Sequence, residues 1–92
     1  MEIKGLIFYK TCEACPEQYE VFKEKEHVGY VRLRFGVLRC DYPDVGGETI
    51  YVETFDDEFK GNFDSREEQL KYLWIIADKI LEKISENTKV SN

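Results

Sequence analysis

Between Val31 and Tyr42 apolar and charged residues alternate: Val31, Leu33 and Phe35, then Leu38, Cys40 and Tyr42, interleaved with Arg32, Arg34, Arg39 and Asp41. A period of two marks strands with one buried face. Gly36-Val37 lies between the two runs, and glycine at the first central position of a two-residue loop predicts a type II′ hairpin. That register sets Phe35 opposite Leu38, Leu33 opposite Cys40 and Val31 opposite Tyr42. On the other face it sets Arg34 opposite Arg39 and Arg32 opposite Asp41.

The same reasoning extends in both directions. Pro16 withholds a ladder donor, so a strand is expected just after it, over Gln18 to Lys23, with Tyr19 and Val21 on the apolar face. For these to share the face of Val31 and Leu33, the loop before Val28 must hold three or five residues or contain a bulge. Residues 1–14 form an N-terminal arm or a further strand. After the loop Pro43 to Glu48, a strand from about Thr49 to Phe55 is expected to place Ile50 and Val52 on the apolar face and Tyr51, Glu53 and Phe55 with the arginines. Residues 56–63 are an acidic connection.

Ser65-Arg66-Glu67-Glu68 matches a capping box, with Asp64 as a competing cap, and predicts a helix over 65–84. Leu70, Leu73, Trp74, Ala77, Ile80, Leu81 and Ile84 project within an arc of about 120° at about 100° per residue and are expected to cover the sheet. Tyr72, Ile75 and Ile76 fall outside it, which predicts a homodimer contact there. Residues 85–92 are a polar tail, expected to fray. The fold class is α+β: one domain over 1–92, an antiparallel meander of four strands over 17–55, five if the arm pairs, with one C-terminal helix on one face.

Composition narrows the function classes. With 42% hydrophobic and 14% aromatic residues the chain is not a disordered one. A net charge of −6 argues against direct binding to nucleic acid or an anionic membrane. No signal peptide or membrane span is visible, and three cysteines do not make a disulfide framework, so a cytoplasmic protein is expected.

Opposed arginines destabilise a sheet unless a counter-charge lies near. Either Glu20, Asp41 and Glu53 supply it, or Arg32, Arg34 and Arg39, with Tyr30 and Tyr51, form a surface for a protein partner or a small anionic ligand such as a nucleotide. Glu53, Asp56, Asp57 and Glu58 (with Asp64) could instead imitate a phosphate backbone for a basic partner, or simply be a solvated edge.

Cys12, Cys15, Cys40 and His27 would suit zinc by ligand count. The expected register, however, puts Cys15 roughly 25 Å from His27 at about 3.4 Å per residue and turns Cys40 into the core. A redox role for Cys12 and Cys15 is weakened by Pro16 and a strand where a helix should open. Gly46-Gly47 lacks the lysine and hydroxyl residue of a phosphate loop. His27, among Glu24, Lys25 and Glu26, is expected to be a solvated turn residue. No metal, no cofactor and no catalytic constellation is predicted, and the chain is expected not to be an enzyme.

Cys15-Pro16-Glu17-Gln18-Tyr19 with Val21, then Val28-Gly29-Tyr30-Val31-Arg32-Leu33-Arg34 and Gly46-Gly47-Glu48, resembles a set of short uncharacterised proteins of Gram-positive bacteria and their phages. The resemblance spans about residues 15–84 and implies a compact accessory or regulatory protein of a mobile element. It brings no established activity. The Val28 to Tyr42 hairpin also looks like the central strands of a GNAT acetyltransferase, but no glycine-rich acyl-CoA loop opens a helix here.

Overall fold

The computed structural model describes residues 1–11 and 17–90. Strands β1 (Glu2–Ile3), β2 (Leu6–Lys10), β3 (Glu17–Lys23), β4 (Glu26–Arg34), β5 (Val37–Tyr42) and β6 (Glu48–Thr54) precede helix α1 (Arg66–Val90). All six strands join one sheet in the order β1 to β6, every neighbouring pair antiparallel. The α+β meander is therefore larger than the expected four or five strands. The addition is an N-terminal hairpin turning at Lys4-Gly5, both with positive φ, as a type I′ turn requires. Its first strand is only two residues long, too short to show alternation.

The β3–β4 register is as expected, with Tyr19 opposite Val31 and Val21 opposite Gly29, and a bulge between Val21 and Phe22 reconciles the parity. In the β4–β5 hairpin the turn residues are Phe35-Gly36, both with positive φ. Leu33 therefore faces Leu38, Val31 faces Cys40, and Arg32, not Arg34, faces Arg39. The turn slides one residue back from Gly36-Val37 and the register by two, so the faces are kept while the cross-strand partners change. In β6 a bulge opposite Cys40/Asp41 inverts the expected faces: Tyr51 pairs with Cys40 and Glu53 with Leu38 on the helix side, whereas Val52 lies beside Arg39.

Ser65 caps the helix, its Oγ accepting from Glu68 N at 3.1 Å, and the Glu68 carboxylate accepts from Asp64 N at 2.8 Å. Two donors at the helix start are thus satisfied, as the capping box predicts. Continuous helix replaces the expected end at residue 84. Leu73, Ile76, Ala77 and Ile80 are fully buried against Leu6, Phe8, Val21, Val31, Leu33 and Leu38. Each large side chain there contributes roughly 2 kcal/mol.

The helix is rotated from the expected arc, so Trp74 is 51% exposed, and Tyr72 packs on Phe55 and Phe63 at 5.2 and 6.1 Å between centroids. Of the three residues expected to form a homodimer contact, Ile76 is thus buried in its own core and Tyr72 packs in part on its own chain, while Ile75 stays half-buried.

A buried polar network ties the connection before the helix to the sheet. Glu17, 5% exposed, accepts from Tyr19 Oη and from Phe63 N, each at 2.5 Å, and Tyr19 Oη accepts from Gln69 Nε2 at 2.8 Å. Burial, then the adjacent Glu17 carboxylate, pushes the Tyr19 phenol well above its ordinary range. Lys60 is enclosed nearby, bound to Asp64 at 2.9 Å and Glu68 at 3.0 Å. Burial alone would lower its pKa, but these two carboxylates raise it.

Candidate functional site

The helix covers one face of the sheet, and the cross-strand registers fix what the other face carries. Along the rung next to the β4–β5 turn run Gln18, Arg32, Arg39 and Val52, and at the turn itself Arg34, Val37 and Thr54. One rung further lie Tyr9, Glu20, Tyr30 and Asp41, then Ile7, Phe22 and His27. The open face thus has an arginine band at the turn end and an aromatic band beyond it.

Arg32, Arg34, Phe35, Val37 and Arg39 enclose a shallow depression of about 330 Å³. Glu20 and Glu53, the expected counter-charges, are engaged elsewhere. Glu20 Oε1 lies 3.5 Å from His27 Nε2, and Glu53, on the helix face, accepts from Tyr51 Oη at 3.2 Å. Only Asp41 reaches the arginines, 3.5 Å from Arg39 Nε. It is committed also to Thr49 Oγ1 at 2.8 Å and Gly46 N at 3.4 Å. Among the described residues no carboxylate lies within ion-pair distance of Arg32 or Arg34. Arg34 instead stands over the Phe35 ring at 5.0 Å, a cation–π contact.

The structure brings together Arg32, Arg34 and Arg39 and places Tyr30 one rung away, where its Oη accepts from Gln18 Nε2 at 3.0 Å. Tyr51 is not among them. It packs against the core on the opposite face, where burial, then Glu53, pushes its phenol up to about 12. The bulge that turned it away has no sequence signal in an Ile-Tyr-Val run, where either parity is apolar.

Of the acidic set, Asp56, Asp57 and Glu58 are exposed and wrap the arginine hairpin: Gly36 N donates to Lys60 O at 2.9 Å and Phe55 N to Gly36 O at 2.7 Å. Glu53 lies apart from them on the helix face. The turn end therefore has mixed charge where a continuous negative surface was one expectation.

Phe35 was expected on the apolar face, and Phe59, with Phe63, to pin the acidic connection to the core edge; neither does so. Phe35 is 66% exposed at φ 51°, and Phe59, in the connection beside the turn, is 79% exposed. A bulky side chain in the left-handed region is an outlier, and an exposed aromatic there is compensated by no core contact.

His27 is not the solvated turn residue expected. It is stacked on Phe22 at 4.8 Å and flanked by Glu20 and Asp44. Cys40 is fully buried, its thiol pushed up to about 12 by burial and then by Asp41, as befits an inert core thiol. Cys12 and Cys15 lie outside the described residues. No described helix is long and apolar enough to cross a membrane. Comparison with protein-family models, curated proteins and solved structures finds no match to this chain.

Proposed function

We propose that the chain is a binding protein, without catalytic chemistry of its own, that engages an acidic, partly apolar segment of a partner protein through the turn end of its open face. The carrying observation is that Arg32 and Arg34 stand without a carboxylate partner on an uncovered sheet, beside exposed Phe35, Val37 and Val52. Directly opposed cations such as Arg32 and Arg39 cost a hairpin roughly 0.2–1 kcal/mol. A negative partner removes that cost, while arginine forks and aromatic faces supply the contacts typical of interface anchors.

A phage-displayed peptide library panned against the parent chain and against Arg32→Glu/Arg39→Glu tests this. Enrichment of acidic, aromatic-containing peptides by the parent alone is expected; equal enrichment by both, or none, overturns it. Phe35→Asn, which gives the turn the Asn-Gly pair suited to type I′, should raise stability in urea by about 1 kcal/mol and weaken those peptides.

The three arginines that line the shallow depression favour a second reading, capture of a small anion such as a nucleotide. A nucleotide-dependent rise in Tm, lost in Arg34→Ala, would support it, and no shift across a nucleotide panel would exclude it.

A further inference from the structure

Glu20 on β3, His27 on β4 and Asp44 in the β5–β6 loop come from separate stretches of sequence and converge on the open face, away from the arginine band. Each offers a ligand atom, and the three atoms lie within 4.8 Å of one another. The imidazole is held in place by Phe22, with 15° between the ring planes, and is 23% exposed. Each of its nitrogens faces a carboxylate. Nδ1 lies 3.4 Å from Asp44 Oδ2. Nε2 is buried and has no hydrogen-bond partner, although Glu20 Oε1 is 3.5 Å away.

The loop is built to aim Asp44. Its Oδ1 accepts from Val45 N at 2.6 Å, its carbonyl accepts from Gly47 N at 2.9 Å, and Asp41 anchors the following residues through Gly46 N and Thr49 Oγ1. Oδ2 is thereby left facing Nδ1. A carboxylate that holds the proton on one imidazole nitrogen leaves a lone pair on the other, which is how metal-ligating histidines are oriented.

We propose that His27 Nε2 and the Glu20 carboxylate hold a divalent transition-metal ion, with Asp44 as the positioning residue on Nδ1. One imidazole with one carboxylate suits Zn²⁺ or Mn²⁺ better than the oxygen-seeking Mg²⁺ or Ca²⁺, and water completes the coordination. Bonds of about 2.0–2.2 Å to a tetrahedral ion set ligand atoms about 3.3 Å apart, close to the 3.5 Å between Nε2 and Oε1. Such an ion satisfies the orphaned nitrogen and ties β3 to β4 on the open face.

The chain has a single histidine, so its imidazole ¹⁵N signals report one site. Zn²⁺ is titrated into the full chain carrying Cys12→Ser and Cys15→Ser, which removes the competing thiols outside the described residues. Nε2 should shift on binding while Nδ1 keeps its proton. Glu20→Gln should bind Zn²⁺ at least tenfold more weakly, and His27→Gln should not bind. Asp44→Asn should weaken binding about tenfold and, without metal, move the imidazole towards its other tautomer, a change that a purely structural role would not produce. Mg²⁺ at the same concentration should leave the signals in place. No Nε2 shift at millimolar Zn²⁺, or undiminished affinity in Glu20→Gln, overturns the site and leaves an ion cluster that serves the loop alone. Glu20→Gln and Asp44→Asn keep side-chain shape, and unchanged backbone spectra show that they fold.

Discussion

Two glycines show how differently a missing Cβ can matter. At Gly36 an added Cβ would meet the Asp57 carbonyl oxygen at 2.6 Å, with φ at +74°. Neither the backbone of the acidic connection nor the turn can give way, so Gly36→Ala should lose about 2–3 kcal/mol in urea denaturation, combining left-handed strain with overpacking. At Gly29 the nearest atom is Ile80 Cδ1 at 2.8 Å, the end of a flexible side chain, and Gly29→Ala should lose only about 1 kcal/mol. Equal losses would show that the connection is not fastened to the turn. Gly36 was legible in the sequence as a turn residue, but not which of its neighbours would share the turn. Glycine at the first central position suits a type II′ turn, so sequence reasoning paired Gly36 with Val37 and assigned the opposed arginines to the wrong rung.

Alternation determined the strands and helical spacing the helix, but faces were lost wherever alternation was degenerate. In β3, β4 and β5 the buried Tyr19, Leu33 and Cys40 each stand between polar neighbours, and those faces agree with expectation. In β6, Ile50, Tyr51 and Val52 are all apolar, so one bulged residue could exchange the faces without leaving a mark. The helix is similar: apolar residues run from Leu73 to Ala77 and wrap more than half its circumference, so the centre of the arc could rotate until Ile76 went in and Trp74 came out.

A third failure concerns Glu17, which looks like any surface glutamate beside Pro16 yet is the hub that holds Phe63 N and Tyr19 Oη. Removing a carboxylate that satisfies two buried donors leaves both unpaired. Glu17→Ala should therefore cost about 3 kcal/mol and loosen the start of the helix, seen as faster amide exchange at Phe63 and in the first turn. Exchange unchanged there would mean that the helix is held by its cap alone.

Across the whole molecule three acids, the buried Tyr19 and Cys40 and the half-buried Tyr51, tie stability to alkaline pH. Cys40 and Tyr51 have ordinary pKa values of 9.0 and 10.0 and are each raised to about 12 in the fold. The folded chain keeps protons that the unfolded chain gives up, so their contribution is complete below about pH 9 and declines as pH climbs towards 12. The urea midpoint should fall steadily over that range, and Tyr51→Phe with Cys40→Ala should lessen the decline to the share left by Tyr19; a midpoint independent of pH would contradict this.

The strand order carries a different consequence. Because each strand pairs with its predecessor in the chain, every ladder closes a short loop, and the sheet can assemble hairpin by hairpin as the polypeptide emerges. The residues that cover its apolar side are made after all six strands. Until Leu73, Ile76 and Ile80 arrive, a nascent sheet displays Leu6, Phe8, Val21, Val31 and Leu33 to whatever is nearby. The order of synthesis thus sets a window for aggregation or chaperone capture that ends when the helix has left the ribosome.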